Sequence, residues 1–236
     1  METLGDIVGV WAHPDDETFL MAGLMAAGVR AGRRVVCVTA TRGEGGVQDE
    51  ARWPATELAS IRTSELEEAL SILGVTEHLW LDLPDGGCRD LDPEGPVARI
   101  EHIIRDARPD SVLTFGPDGM TGHPDHSAVS GWTTAAFARA AQPGARLLYA
   151  TTTPEWMDEF RAGWESIGAF MDEEVVPVTE RDELAVHYEL PDDLLDLKFQ
   201  ALQAQPSQSE STIAALGEEW LRRVMSVEMF RAVEAR

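Results

Sequence analysis

The feature that most constrains this chain is an alternation repeated through its first 150 residues: a short apolar run, a loop rich in Gly, Pro and acidic residues, then a longer stretch with apolar residues at helical spacing. Ile7–Trp11 (IVGVW) reads as a buried strand, and Glu17–Arg30, rich in Leu, Met and Ala, reads as the helix after it. Arg34–Thr41 is a second strand, and Leu58–Leu73 a helix stopped by Gly74. His78–Leu83 follows as a strand, Pro96–Ala107 as a helix and Ser111–Phe115 as a strand. His126–Ala141 and Ala145–Thr151 add one more helix and strand. Continuously apolar strands are covered on both faces, so this succession predicts an α/β fold, a Rossmann-like three-layer sandwich around a mainly parallel sheet.

Beyond Thr153 the pattern changes. Trp156 and Trp164, a strand-like Val175–Val178 and a helical Asp192–Gln203 predict a small C-terminal α+β subregion. Ser211–Ala232 carries Trp220, Leu221, Val224, Met225 and Phe230, which predicts an amphipathic helix packed on the body or on another subunit. The 236 residues suit one domain, divided into a core over 1–152 and a subregion over 153–236 that completes the pocket.

Charge narrows the function. The net charge is -23 and Lys198 is the only lysine. Nucleic acid is excluded as a partner because phosphates require clustered cations, and anionic membrane surfaces offer no attraction. No apolar stretch reaches the length of a membrane span and no basic start precedes one, so a cytoplasmic location is expected. Cys37 and Cys88 lack paired spacing, as in a reduced intracellular protein.

Open parallel sheets bind ligands beyond the carboxyl ends of their strands. Those ends carry HPDDE at 13–17, TRGEGG at 41–46, LPDGG at 83–87 and TGHPDH at 121–126. Two of these loops bring His together with carboxylate. Catalytic zinc sites commonly use three protein ligands and keep one position for water, a count that two His and one Asp satisfy. A spare carboxylate then serves to take a proton from that water. TRGEGG has the spacing of neither a dinucleotide fingerprint nor a P-loop, so no nucleotide is expected.

WAHPDDETFLMAG, TRGEGG and GHPDH, in this order and spacing, resemble the PIG-L/LmbE family of zinc deacetylases; the likeness is firm over residues 5–150 and looser beyond. The resemblance implies that His13, Asp16 and His126 bind one Zn²⁺ per chain, or another divalent metal, and that Asp15 is the general base. His123, charged and oriented by Asp125, would stabilise the oxyanion formed when hydroxide attacks an acetamide. The implied substrate is an N-acetylglucosamine-type sugar or conjugate. Arg62, in a stretch similar to a family helix, is implied as a substrate contact, with Asp85, Arg42 and Glu44 as further candidates. A solvated helix face, with Glu65 and Glu67 as partners, is the alternative for Arg62, and turn formation the alternative for Asp85.

Two positions depart from the family. Thr121 stands where members carry Tyr, removing a tyrosine-assisted proton transfer, and Gln205 replaces a His before the Ser-Gln pair. Glu17 reads as support for a ligand or as a charge favouring the helix start. His78, His102 and His187 read as packing or surface groups, and Trp156 and Trp164 as core or pocket rim. Family members assemble as trimers or hexamers, so a homo-oligomer is implied. The competing functions are an amidase on a thiol-sugar conjugate or other small amide, and a catalytically silent sugar- or metal-binding module. Asp15 and His123 argue against the silent module, since binding alone needs neither a base nor an oxyanion partner.

Overall fold

The structure is a computed structural model that describes residues 4–172 and 176–233. Its first half alternates β1 (Ile7–Trp11), α1 (Asp16–Arg30), β2 (Val35–Thr41), α2 (Ala55–Leu73), β3 (Glu77–Leu83), α3 (Glu94–Ala107) and β4 (Ser111–Thr114). A short α4 (Gly119–Gly122), then α5 (Pro124–Ala140), β5 (Arg146–Ala150) and α6 (Pro154–Ser166) follow. The remainder is β6 (Val186–Glu189), α7 (Asp192–Gln203), α8 (Pro206–Leu216), α9 (Glu218–Val224) and β7 (Val227–Ala232).

The strands form one sheet in the order β3-β2-β1-β4-β5-β7-β6. The first five are parallel, and β7 runs antiparallel to both of its neighbours. Every residue of β1, β2 and β4 is buried, as their unbroken apolar runs require. α1, α2 and α7 pack together, as do α3 and α5, making the two helical layers. From β1 the chain winds outward to β3 and then returns to β4 on the other side of β1. The carboxyl ends of β1 and β4 therefore flank a topological switch point, where such sheets bind ligands.

The C-terminal segment departs from expectation. Ser211–Ala232 is not one helix: α8 ends at Leu216, Gly217 turns the chain out of the helix at φ 83°, and α9 stops at Val224. Residues from Val227 onward enter the sheet as β7, between β5 and β6. Trp220, Leu221, Val224 and Met225 keep helical spacing because they lie on or beside α9, whereas Glu228, Met229 and Phe230 are all buried, as in a strand covered on both faces. Of the expected strand Val175–Val178, Val175 lies outside the described residues, and Val178 makes one isolated bridge with Thr152.

Inserting β7 carries a carboxylate into the core. Glu228 (2% exposed) accepts from Nζ of Lys198 (0% exposed) at 2.8 Å, and from the backbone N–H groups of Gly23 and Leu24 in mid-α1, each at 2.8 Å. Gly23 permits the approach, since a Cβ there would lie 1.7 Å from Leu190 and 3.2 Å from Glu228 Oε1. Burial lowers the Lys198 pKa, and the Glu228 carboxylate opposes that shift. Glu228→Ala would strand a buried ammonium and two N–H groups. We expect a loss of about 3–5 kcal/mol in urea unfolding, and a loss below about 1 kcal/mol would contradict this account.

Candidate active site

The site begins with a turn in an unfavourable conformation. Asp15 joins β1 to α1 with φ 108° and ψ -33°, outside the range that a residue with a Cβ prefers. Its N–H donates to Glu17 Oε2 at 3.0 Å, and its carbonyl accepts from the N–H groups of Thr18 and Phe19 at 2.9 and 3.0 Å. The buried Arg62 guanidinium, reaching over from α2, donates to the carbonyls of Pro14 and, at 2.8 Å, Gly43. It also donates to Asp15 Oδ2 at 3.2 Å.

The turn aims Asp16 at two imidazoles. Asp16 Oδ2 accepts from the N–H groups of Ala12 and His13 at 3.2 and 2.8 Å, while Oδ1 lies 3.4 Å from His126 Nε2. His13 Nδ1 lies 3.2 Å from His126 Nε2 and 3.6 Å from Asp16 Oδ2. Zinc bonds of about 2.0–2.1 Å in a tetrahedron put ligand atoms about 3.3–3.4 Å apart; the His13–His126 and Asp16–His126 contacts are close to that length, while His13 meets the other Asp16 oxygen at 3.6 Å.

The chemistry of the donors fits a cation as well. His126 Nδ1 lies 3.0 Å from the Gly119 carbonyl, which only accepts, so Nδ1 carries the hydrogen and the Nε2 lone pair faces His13. Burial holds the His126 pKa down to about 4, consistent with a neutral ring. His13 sits among carboxylates, with Nε2 2.9 Å from Asp85 Oδ1 and 3.5 Å from Asp125 Oδ2. Burial resists charge on His13, but Asp125, Asp16 and Asp85 overcome it and raise the pKa well above the usual imidazole range. The carboxylates around His13 thus favour positive charge at this point. A divalent ion beside the two rings would supply it as a proton on His13 does, and would also offset the surrounding carboxylates. His123 also brings a ring nitrogen within 4.8 Å of the other two histidines, and His13, Asp85 and Asp125 make a further such group.

The neighbouring aspartates behave oppositely. Burial raises the Asp15 pKa to about 7 against the pull of Arg62. Burial acts on Asp16 too, but the His126 and His13 rings overcome it and hold that carboxyl well below the ordinary range. One carboxylate is therefore basic and the other firmly ionised.

His123 differs from expectation in its partner and its charge. Its Nδ1 accepts the backbone N–H of Asp125 at 3.1 Å, which leaves a neutral ring with its hydrogen on Nε2. Burial and the His13 charge lower its pKa further. The Asp125 carboxylate instead accepts from the N–H groups of Gly86 and Cys88 at 2.7 and 3.1 Å, pinning the LPDGG loop beside His13. The His123 and His13 ring centroids are 4.7 Å apart.

The remaining candidates divide. Arg62 is no solvated helix residue: it is 3% exposed and ties the loops after β1 and β2 to α2, and it also borders the cavity. Asp85 also borders the cavity, with Oδ2 accepting from Gly45 N at 2.7 Å. Glu44 lies behind it, Oε1 accepting the Asp85 N–H at 3.0 Å, and is not on the cavity wall. Arg42 turns away altogether, binding Asp82 Oδ1 at 2.7 Å and stacking 4.0 Å over Trp80, so it makes no contact with the cavity. His78, His102 and His187 are also absent from the cavity wall.

Gln205 was legible only as a departure from the family pattern. It is buried at the α7–α8 junction, and its Nε2 donates to Glu17 Oε1 at 3.0 Å and to Thr18 Oγ1 at 2.8 Å. The C-terminal part thereby holds the glutamate that receives the Asp15 N–H. The cavity, about 830 Å³, has His13, Asp15, Asp16, His123 and His126 on its wall and is bordered by residues from both halves of the chain. No helix among the described residues is long and apolar enough to cross a membrane.

Residues 8–137 match the family described as PIG-L, GlcNAc-PI de-N-acetylase. A 1D-myo-inositol 2-acetamido-2-deoxy-alpha-D-glucopyranoside deacetylase of Kineococcus radiotolerans is 39% identical over 168 residues, covering 59% of this chain and 46% of the relative. The chain spans about half the length of several such relatives that it matches. An enzyme of the same name from Acidothermus cellulolyticus is 32% identical over 94% of this chain and 86% of its own length. Among solved structures, N,N'-diacetylchitobiose deacetylase from Pyrococcus horikoshii superposes with a TM-score of 0.73 at 21% identity, over 98% of this chain and 85% of that one; the likeness shows a shared fold.

Asp16 holds both the turn and one corner of the trio. Asp16→Ala is expected to lose stoichiometric divalent metal on dialysis, measured by elemental analysis. Retention of the ion with wild-type affinity would contradict the assignment of this corner.

Proposed function

This chain belongs to the PIG-L (GlcNAc-PI de-N-acetylase) family, and from that premise we propose that it is a metal-dependent hydrolase removing an acyl group from the nitrogen of an amino sugar or its conjugate. The observation that carries this reading is the His13, Asp16 and His126 trio with a basic aspartate, Asp15, beside it. The names of the relatives support an acetylated glucosamine conjugate as the substrate class. Residues 153–236 complete the pocket of a single functional unit.

His13, Asp16 and His126 would hold the ion, one per chain, and a set of two imidazoles and one carboxylate suits Zn²⁺. When bound, the metal supplies Lewis acidity and a water of lowered pKa. Asp15 takes the proton of the attacking water on its carboxylate, and Arg62 keeps that carboxylate in position. His123 donates Nε2–H to the oxygen that becomes negative as the acyl carbon turns tetrahedral. A neutral donor serves here because its hydrogen bond strengthens as the charge develops. Collapse breaks the C–N bond, and Asp15 returns its proton to the leaving amine, the task for which Thr121 offers no acidic group. Asp85 accepts hydrogen bonds from sugar hydroxyls at the cavity wall.

Asp15→Ala is expected to retain metal while lowering kcat about 10²–10⁴-fold in an amine-release assay on N-acetylglucosamine conjugates. His123→Ala is expected to lower kcat about 10²–10³-fold. Unchanged turnover in the metal-loaded Asp15 variant would refute the mechanism.

A further inference from the structure

We propose that the acyl group removed is an apolar chain longer than acetyl, an inference that rests on the deacylase reading above. The sheet order divides the cavity. The metal trio comes from the ends of β1 and β4 in the centre. On the β2–β3 side the wall is polar, formed by Gly45, Gly46 and Gln48 after β2 and by Asp85 and Gly86 after β3. On the β5–β7 side it is apolar, formed by Trp156 and Trp164 of α6, by Ile167, Phe170 and Met171 just after it, and by Met229 of β7.

Several side-chain oxygens on that second side are engaged within the protein, whereas the buried Nε1 of Trp164 has no hydrogen-bond partner among the described residues. Thr151 Oγ1 pairs with Thr179 Oγ1 at 2.8 Å, and Thr152 Oγ1 donates to the Pro177 carbonyl at 2.6 Å. The Glu228 carboxylate accepts from Lys198 and from two N–H groups of α1. Each of these three groups is thus held by the protein, with less capacity left for sugar hydroxyls. Met171, 65% exposed, extends this apolar wall towards solvent.

The apolar wall also begins next to the reacting centre. The N–H groups of Met171 and Asp172 donate to the Thr121 carbonyl at 2.8 and 3.3 Å, two residues before His123. Gly122 allows this contact, since a Cβ there would lie 2.7 Å from Asp172 Cβ. A scissile carbonyl held between the trio and His123 sends its two substituents in opposite directions. The sugar fits the β2–β3 side, so the acyl chain fits the β5–β7 side. Water adds to the acyl carbon, the C–N bond breaks, the nitrogen takes the proton, and the products are a carboxylate with an apolar chain and a free amino sugar.

The test uses the metal-loaded enzyme and four substrates: glucosamine carrying N-acetyl, N-butanoyl or N-octanoyl, and the octyl glycoside of N-acetylglucosamine, each followed by amine release. Octanoyl is expected to exceed acetyl by at least about tenfold in kcat/KM, a fraction of the roughly fourfold per methylene that full burial would provide. Met171→Glu and Phe170→Ser are expected to shrink the octanoyl-to-acetyl ratio, with melting temperatures checking that both fold. Equal or faster cleavage of the acetyl substrate overturns the proposal. Preference for the octyl glycoside overturns it too and assigns the wall to the aglycone. Cleavage of none of the four, with metal bound, sinks the deacylase reading itself.

Discussion

The site depends on one aspartate held in a backbone conformation that it would not adopt alone. Asp15 at φ 108° turns the chain sharply enough for two consecutive aspartates to face different tasks, Asp16 towards the imidazoles and Asp15 towards Arg62. Strain of this kind, on the order of 1–3 kcal/mol, persists only where the surroundings over-determine it. Glu17 holds the N–H, α1 caps the carbonyl, and Arg62 from α2 grips the preceding one. Gln205 then ties Glu17 to the α7–α8 junction, nearly 190 residues away in sequence. The C-terminal part is therefore a structural partner of the turn at Asp15 as well as a wall of the cavity.

Electrostatics complete what the backbone begins. Three aspartates converge on His13, each anchored by backbone N–H groups: Asp16 by its own turn, Asp85 by Gly45, Asp125 by Gly86 and Cys88. Such anchoring keeps the carboxylates close together, while the histidines favour their ionised form. A cation held there would meet an arrangement that is already in place, which is the condition for tight and correctly shaped coordination.

Much of this was legible in the sequence. The central parallel strands β1, β2 and β4 announce themselves because burial on both faces demands unbroken apolar runs, and the loops at the strand ends carry the His and Asp residues that the structure brings together. What stayed hidden depended on long-range partners. Nothing local distinguishes Arg62 from a solvated helix arginine, or says that Asp125 uses its carboxylate on a neighbouring loop and only its backbone on His123. The stretch after Ser211 misleads because α9 and β7 follow each other with apolar residues whose combined spacing mimics one amphipathic helix. The pairing of Lys198 with Glu228 left no local sign either, because α7 also carries Asp192, Asp193 and Asp196 and the partner lies 30 residues further on.

That buried lysine has a practical consequence. Every other side-chain cation of fixed charge is a guanidinium, so the only lysine amine lies under the sheet, sealed by Glu228. Amine-reactive dyes and crosslinkers will find no lysine on the folded surface. Acylation of Lys198 thus becomes a clock for opening of the interior: its rate reports how often β7, α7 and α1 part company in otherwise native protein.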